Sequence, residues 1–402
     1  MSNKKIKFMH IADTHLGYNG NASLHNEFSE LKVNKWTETG ENIRTSDVNN
    51  SFAQAIDIAL EEKVDFTIHA GDGINQVGYK NPAYYNFYMD QVERFSTTGR
   101  QWIEIAGNHN FSKKAGIGNE LFKLGKMENV VTSYKGIYEI YEIPNSDIIC
   151  HLLPSSYNNV SFKKELEKVK RIEGKFNILV AHCGVSTIPH YANNDSSIVV
   201  HIDDLINLKM DYIALGDYHF FTDLGNNIIY PGPIDHLAFG QEKNPRVLIV
   251  EVDLVTFEVE INHRFLRVRP MIDMKPIDAE GMLLEDIQSQ ILERFESAEI
   301  DDSIVRIVIK NLSKNLKHRH LFLTDKIKEY IDRCLYFKFE FKNKIDLSNT
   351  INFKSNDEEE FEGLQEGLKS FIDELPEDPN FLRNDLYAIT SKYLTEVLEN
   401  ED

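Results

Sequence analysis

Five short motifs hold the side chains of this sequence best suited to binding metal: Asp13-Thr14-His15, Gly71-Asp72, Gly107-Asn108-His109, His182, and Gly216-Asp217-Tyr218-His219. Their donors are carboxylates, imidazoles and an amide, a mixture that suits Mn²⁺, Fe²⁺ or Zn²⁺ better than Ca²⁺ or an all-thiolate site. Two ions about 3.5–4 Å apart need a carboxylate in common, and such a pair activates water and neutralises charge on a phosphate. Asp72, at a strand end and preceded by a glycine that permits a tight turn, is the candidate for the shared ligand. Singly, each motif has an ordinary explanation: Asp and Asn after a strand form turns or cap helices, and a lone His182 or His109 is more often a hydrogen-bonded histidine. All five follow apolar runs of one chain, and that pattern favours the metal reading.

The runs that must position them are IKFMHIA, FTIHA, WIEIA, NILVA and DYIAL. Short apolar, β-branched runs alternate with helix-period segments such as VNNSFAQAIDIALEEK and PAYYNFYMDQVERF, which predicts a layered α/β sheet covered by helices. The carboxyl ends of such strands converge on one rim, where open α/β sheets place their sites. Later runs, among them DIICHLL, FNILVAH, IIYPG and RVLIVEV, predict a second sheet packed on the first. From about residue 266 the texture changes: RPMIDMKP, then a helix, a strand, a helix and a strand predict an α+β unit ending near 350. After SNDEEEF, two amphipathic helices around PEDPN predict a hairpin too small to stand alone. The expected fold class is therefore α/β. A two-sheet sandwich flanked by helices spans 1–265, an α+β unit 266–350, and an acidic linker with a helical hairpin 351–402.

The five motifs, in this order, resemble those of the calcineurin-like metallophosphoesterases. Within them the sequence is most similar to the SbcD/Mre-type DNA repair nucleases, through HIADTHLGY, Arg44 and Asp47 of NIRTSDVNNSF, IEIAGNHN, ALGDYH and IIYPGPI. The resemblance implies two Mn²⁺ ions, with Mg²⁺ or Fe²⁺ as alternatives. One ion would be held by Asp13, His15, Asp72 and His219, the other by Asp72, Asn108, His182 and Asp217. His109 would be the acid serving the leaving oxygen. It further implies a 3′-to-5′ double-strand exonuclease and single-strand endonuclease, working as a homodimer. The α+β unit of 266–350 would be a capping, DNA-binding domain, and the terminal hairpin would bind an SMC-like, SbcC-type ATPase; the expected location is cytoplasmic, nucleoid-associated if the source is prokaryotic.

Three positions depart from the family pattern. Asp217 stands where an imidazole is usual, which predicts a harder, more Mn/Mg-like site. Asn110 stands where an acid usually orients the neighbouring histidine, and Asn75 where relatives carry an acid or histidine. They motivate one alternative to the nuclease, a weakly active assembly subunit that recruits the ATPase; a second, a phosphatase or cyclic phosphodiesterase acting on a small substrate, follows because one fold hosts many functions.

Charge and composition bear on the partners. The chain has 402 residues and a formal net charge of -20, which taken whole repels polyanions. Yet residues 355–402 hold 15 acids and 3 bases, whereas residues 310–344 hold ten bases and four acids. The basic stretch, densest around Lys310, Lys314, Lys317 and Arg319, reads either as a solvated face or as a DNA-backbone contact. Tyr84, Tyr85, Phe87, Tyr88 and Met89 give one helix more apolar faces than a single sheet contact needs, which reads as core or as a dimer face. Three scattered cysteines indicate neither a disulfide framework nor structural zinc, and no apolar run is long enough to span a membrane.

Overall fold

The computed structural model describes residues 5–18, 35–75, 83–109, 120–191, 198–313, 316 and 319–342, without the side chain of Arg319. In chain order the strands are β1 (Lys5–Ile11), β2 (Phe66–His69), β3 (Gln101–Ile105), β4 (Val130–Ser133), β5 (Glu139–Glu142), β6 (Ile148–Leu153), β7 (Phe176–His182), β8 (Gly184–Val185), β9 (Val199–Val200), β10 (Tyr212–Gly216), β11 (Thr222–Asp223), β12 (Ile228–Tyr230), β13 (Arg246–Asp253) and β14 (Val259–Phe265). They are followed by β15 (Met271–Asp273), β16 (Ile277–Asp278), β17 (Ile304–Lys310) and β18 (Tyr336–Lys342). The helices are α1 (Ile43–Glu61), α2 (Ala83–Ser96), α3 (Leu121–Leu124), α4 (Asn159–Leu166), α5 (Ile202–Ile206), α6 (Leu284–Glu296) and α7 (Asp325–Arg333).

Two six-stranded sheets form the body, in the orders β14-β13-β1-β2-β3-β4 and β11-β12-β10-β7-β6-β5. Their central strands β1, β2 and β3, and β6, β7 and β10, pair in parallel. Parallel strands need both faces covered, which is why FTIH and FNILVAH are buried throughout. Alternation along the strands sorts the side chains: Phe8 and Ala12 face the other sheet, with Phe66, Ile103, Ile178 and Ala214. Met9 and Ile11 face the opposite way, into a layer with Phe52, Ile56 and Tyr88 from α1 and α2. On the far side, Leu179 and Ala181 pack with Phe162 of α4 and Leu205 of α5. The body is thus four layers, helix on sheet on sheet on helix. Asn42 starts α1 by accepting from the backbone N–H of Arg44 at 2.9 Å.

The third sheet pairs β15, β16 and β18 with β17, all in parallel, and buries Val305, Ile307, Phe337 and Phe339 against α6 and α7. It is tied to the body through charge: Asp47 of α1 accepts from Arg44 at 2.6 Å and from Arg269, which leads into β15, at 2.8 and 2.9 Å. Residues 343–402, including the expected terminal hairpin, lie outside the described residues, as does Asn110. The three cysteines are free and buried, and among the described residues no helix is long and apolar enough to cross a membrane.

Candidate metal centre

The first sheet delivers Asp13 and His15 just past β1, Asp72 past β2, and Asn108 and His109 past β3. The second delivers His182 as the last residue of β7, and Asp217 and His219 past β10. Because β1 and β2 run in parallel, their outgoing segments stay together: His15 N–H donates to the Asp72 carbonyl at 2.9 Å, and Leu16 N–H to Gly73 at 2.9 Å. Asp13, His15, Asp72 and Asp217 all have positive φ, between 46° and 97°. Residues other than glycine seldom adopt that backbone, and its concentration here marks a turn held by its surroundings for the sake of side-chain direction. Gly71, at φ 102°, completes the turn before Asp72, and a Cβ there would collide with His182.

Two groups of donors converge, and Asp72 belongs to both. On one side, His15 Nε2 lies 3.3 Å from His219 Nε2 and 3.8 Å from Asp72 Oδ2, and His219 Nε2 lies 3.9 Å from Asp13 Oδ1. On the other, His182 Nε2 lies 3.1 Å from Asn108 Oδ1, 3.5 Å from Asp72 Oδ2 and 3.6 Å from Asp217 Oδ1. Asp13, His15 and His219 could jointly hold an ion, as could Asp13, Asp72 and His182, and also His15, Asp72 and His109.

The donor chemistry suits divalent cations. Burial pushes the Asp13 and Asp217 carboxyls upward, because three carboxylates crowd a site with little water. Although burial opposes it, His182 is pushed up to about 10 by Asp72, Asp13 and Asp217, while Asp72 is held low against its own burial, chiefly by His182. The cluster therefore favours positive charge at its centre. Burial lowers His15 and His219, keeping their rings neutral with lone pairs to offer. The His15 and His219 nitrogens face one another across 3.3 Å, a contact that only a proton or a cation makes favourable.

Surrounding groups orient the donors. His182 Nδ1 donates to the Ala70 carbonyl at 2.8 Å, which fixes the ring with Nε2 aimed at the carboxylates. The Gln241 amide lies 2.8 Å from His219 Nδ1, and Tyr191 donates its hydroxyl to Asp217 Oδ2 at 2.7 Å. His109 is exposed; its backbone N–H donates to Asp72 Oδ1 at 2.9 Å, and its Nδ1 donates to the Asn75 carbonyl at 2.6 Å. Position 75 thus orients the histidine through its backbone, a contribution that its side-chain type does not reveal. His69, the last residue of β2, supports the rim: its Nε2 meets Thr14 Oγ1 at 3.0 Å, and Thr14 donates to the Gly73 carbonyl at 3.0 Å.

Other expected site residues fall elsewhere. Tyr84 and Tyr88 are buried in the chain's own core, whereas Tyr85, Phe87 and Met89 are half-buried against it. Lys310 is exposed at the end of β17, while Lys314, Lys317 and the Arg319 side chain lie outside the described residues. Much of the remaining basic stretch is paired: Lys326 with Glu296, Lys328 with Asp325, Arg333 with Asp301, and Lys338 and Lys342 with Glu340. Sequence reading missed Tyr191, Gln241 and Asp235. The last, with Asp47, pairs the buried Arg44 at 3.0 Å.

A helix-flanked double sheet with carboxylate, imidazole and amide donors gathered at its strand ends is the architecture of metal-dependent phosphoester hydrolases. The chain belongs to the calcineurin-like phosphoesterase family, which it matches over residues 6–221. It is similar to the DNA double-strand break repair protein Mre11 of Methanosarcina acetivorans, 28% identical over 329 residues, covering 78% of this chain and 47% of that protein. The Mre11 of Sulfurisphaera tokodaii is 30% identical over 246 residues, covering 58% of this chain and 55% of its own. That of Sulfolobus acidocaldarius is 25% identical over 414 residues, covering 91% of this chain and 98% of its own. Against the two Methanosarcina proteins, the chain spans about half of their length.

Proposed function

We propose that this chain is a two-ion DNA phosphodiesterase, the nuclease subunit of a double-strand-break repair complex. The observation that carries the proposal is the meeting of two donor groups at one buried carboxylate, Asp72, with an exposed histidine beside it. Asp13, His15, Asp72 and His219 would hold one ion, and Asp72, Asn108, His182 and Asp217 the other. Such ions, Mn²⁺ by this donor set with Mg²⁺ or Fe²⁺ as alternatives, supply Lewis-acid chemistry to water and to the scissile phosphate. The chain's own part is to fix the donors and to manage a proton. Held through Nδ1 by the Asn75 carbonyl, the His109 ring has Nε2 with which to hold a proton for the leaving oxygen.

The names of the similar proteins support DNA as the substrate, and the exposed end of β17 at Lys310 offers a cation for its backbone. On this reading residues 1–265 are the nuclease domain and residues 266–350 cap it over the DNA. Residues 351–402 bind an SMC-like ATPase, and the half-buried Tyr85, Phe87 and Met89 contribute to a homodimer face. The expected activities are 3′-to-5′ removal from duplex ends and internal cutting of single strands. The test is cleavage of blunt, 3′-overhang and hairpin DNA with Mn²⁺, Mg²⁺ or chelator, in the presence of the co-expressed ATPase. Mn²⁺-dependent cutting that vanishes in Asp72→Asn is expected; hydrolysis of a small phosphodiester with DNA left intact would refute the nuclease.

A further inference from the structure

Asp217 is set apart from the other carboxylates of the centre by what holds it. Its φ is 97°, and its backbone N–H is shared between the two oxygens of Asp13 at 3.2 Å each. Of its own two oxygens, Oδ1 faces His182 Nε2 at 3.6 Å, while Oδ2 accepts the Tyr191 hydroxyl at 2.7 Å. Tyr191 is itself only 5% exposed and comes from a different part of the chain, the single turn Pro189–Tyr191 between β8 and β9. Its ring lies against Gly184, where a Cβ would stand 2.6 Å from the ring carbons, so the chain keeps a bare position two residues past His182 to seat it.

We infer that Tyr191 is a positioning residue for the second ion, and that it sets how Asp217 binds. An aspartate can offer a metal one oxygen or two. A charge-assisted hydrogen bond from a buried hydroxyl occupies Oδ2 and holds the carboxylate plane, so that Oδ1 is the oxygen presented to His182, whose Nε2 also meets Asn108 and Asp72. One-oxygen binding suits a small ion of octahedral preference such as Mn²⁺ or Mg²⁺. Binding through both oxygens suits Ca²⁺, which takes more oxygen ligands at longer distances. Tyr191 therefore makes an aspartate act as a single-atom ligand, the geometry an imidazole would give, and biases the site against Ca²⁺. A buried tyrosine also needs a partner for its hydroxyl in any core, and the experiment separates that bland role from the specific one.

The inference rests on the two-ion reading, and the test keeps the two apart. Metal-free full-length protein is titrated with Mn²⁺, free ion being read by electron paramagnetic resonance, with Ca²⁺ as competitor. The wild type is expected to take up two ions. Tyr191→Phe is expected to keep one at wild-type affinity, to bind the other roughly 10–100-fold more weakly, and to lose discrimination against Ca²⁺ at that site only. Fewer than two ions in the wild type would overturn the two-ion reading itself. Two ions in the wild type with unchanged affinities in Tyr191→Phe, or equal weakening of both, would overturn the inference alone. Should Tyr191→Phe not fold, Gly184→Ala, which keeps the hydroxyl but pushes the ring, is expected to weaken the same single ion; unaltered binding in that variant would count against it.

Discussion

His109 differs from the other rim histidines in being exposed, and its backbone N–H donates to Asp72 Oδ1. On the proposed reading it carries a proton for the leaving oxygen, although with His15 and Asp72 it could also hold an ion. His109→Gln is expected to lower the turnover of DNA cleavage by about 10²–10⁴-fold while two Mn²⁺ ions still bind. Loss of an ion, seen in the same titration, would move His109 into the ligand set. Glu104 poses a different residue-scale question. Fully buried on β3 beneath α2, it accepts from the Tyr88 hydroxyl at 2.6 Å and from Trp102 Nε1 at 2.9 Å, both at Oε2, and burial pushes its carboxyl up to about 8. The folded state thus keeps a proton that the unfolded chain releases near pH 4.5. This contribution to stability is complete below that pH and is lost progressively as pH rises to about 8, at up to roughly 1.4 kcal/mol per pH unit. Glu104→Gln is therefore expected to match the wild type near pH 5 and to exceed it in denaturant stability near pH 9. An equal difference at both pH values would show that Glu104 is not titrating there.

At the scale of elements, the site depends on strand ends that turn sharply. Gly71 and Gly99 both have positive φ, but a Cβ at Gly71 collides with His182, whereas at Gly99 it meets open space. Gly99→Ala is expected to cost about 1 kcal/mol of stability and to leave ion binding intact. Gly71→Ala is expected to cost more and to abolish high-affinity Mn²⁺ uptake; thermal melts and ion titration on the pair check both. The strand-end pattern was legible because each donor follows a short apolar run, the mark of strands buried on both faces, as with Phe8 against the other sheet and Met9 against the helices. What supports the donors was not. Tyr191 and Gln241 meet their partners only through tertiary folding, and the Ala70 and Asn75 carbonyls have no side-chain signature at all. Helix α2 illustrates another limit: periodicity shows apolar faces, but it does not say that Tyr84 and Tyr88 are consumed by the chain's own core. Local charge counting has the same weakness, since Lys326 and Arg333 find Glu296 and Asp301 outside the window in which the basic residues were counted.

Across the whole molecule, one buried ionic network joins regions far apart in sequence. Arg44 is buried and donates to Asp47, Asp235 and the His236 carbonyl, Ser51 donates to Asp235 at 2.6 Å, and Arg269 carries the network to the strand entering the third sheet. Removing the central cation leaves two carboxylates without their shared partner. Arg44→Met is expected to destabilise the protein by about 3–5 kcal/mol, seen as a lower denaturant midpoint; a change under about 1 kcal/mol would mean that the network relaxes freely. The net charge of -20 is unevenly spread, with 15 acids and 3 bases in residues 355–402, so the acidity does not by itself exclude DNA from the rest of the chain. Whether Asp72 is shared between two ions can be read from anomalous diffraction at the manganese edge, with crystals grown in Mn²⁺. Two peaks flanking Asp72 are expected, one among Asp13, His15 and His219 and the other among Asn108, His182 and Asp217. A single peak, or peaks that do not both contact Asp72, would contradict that sharing.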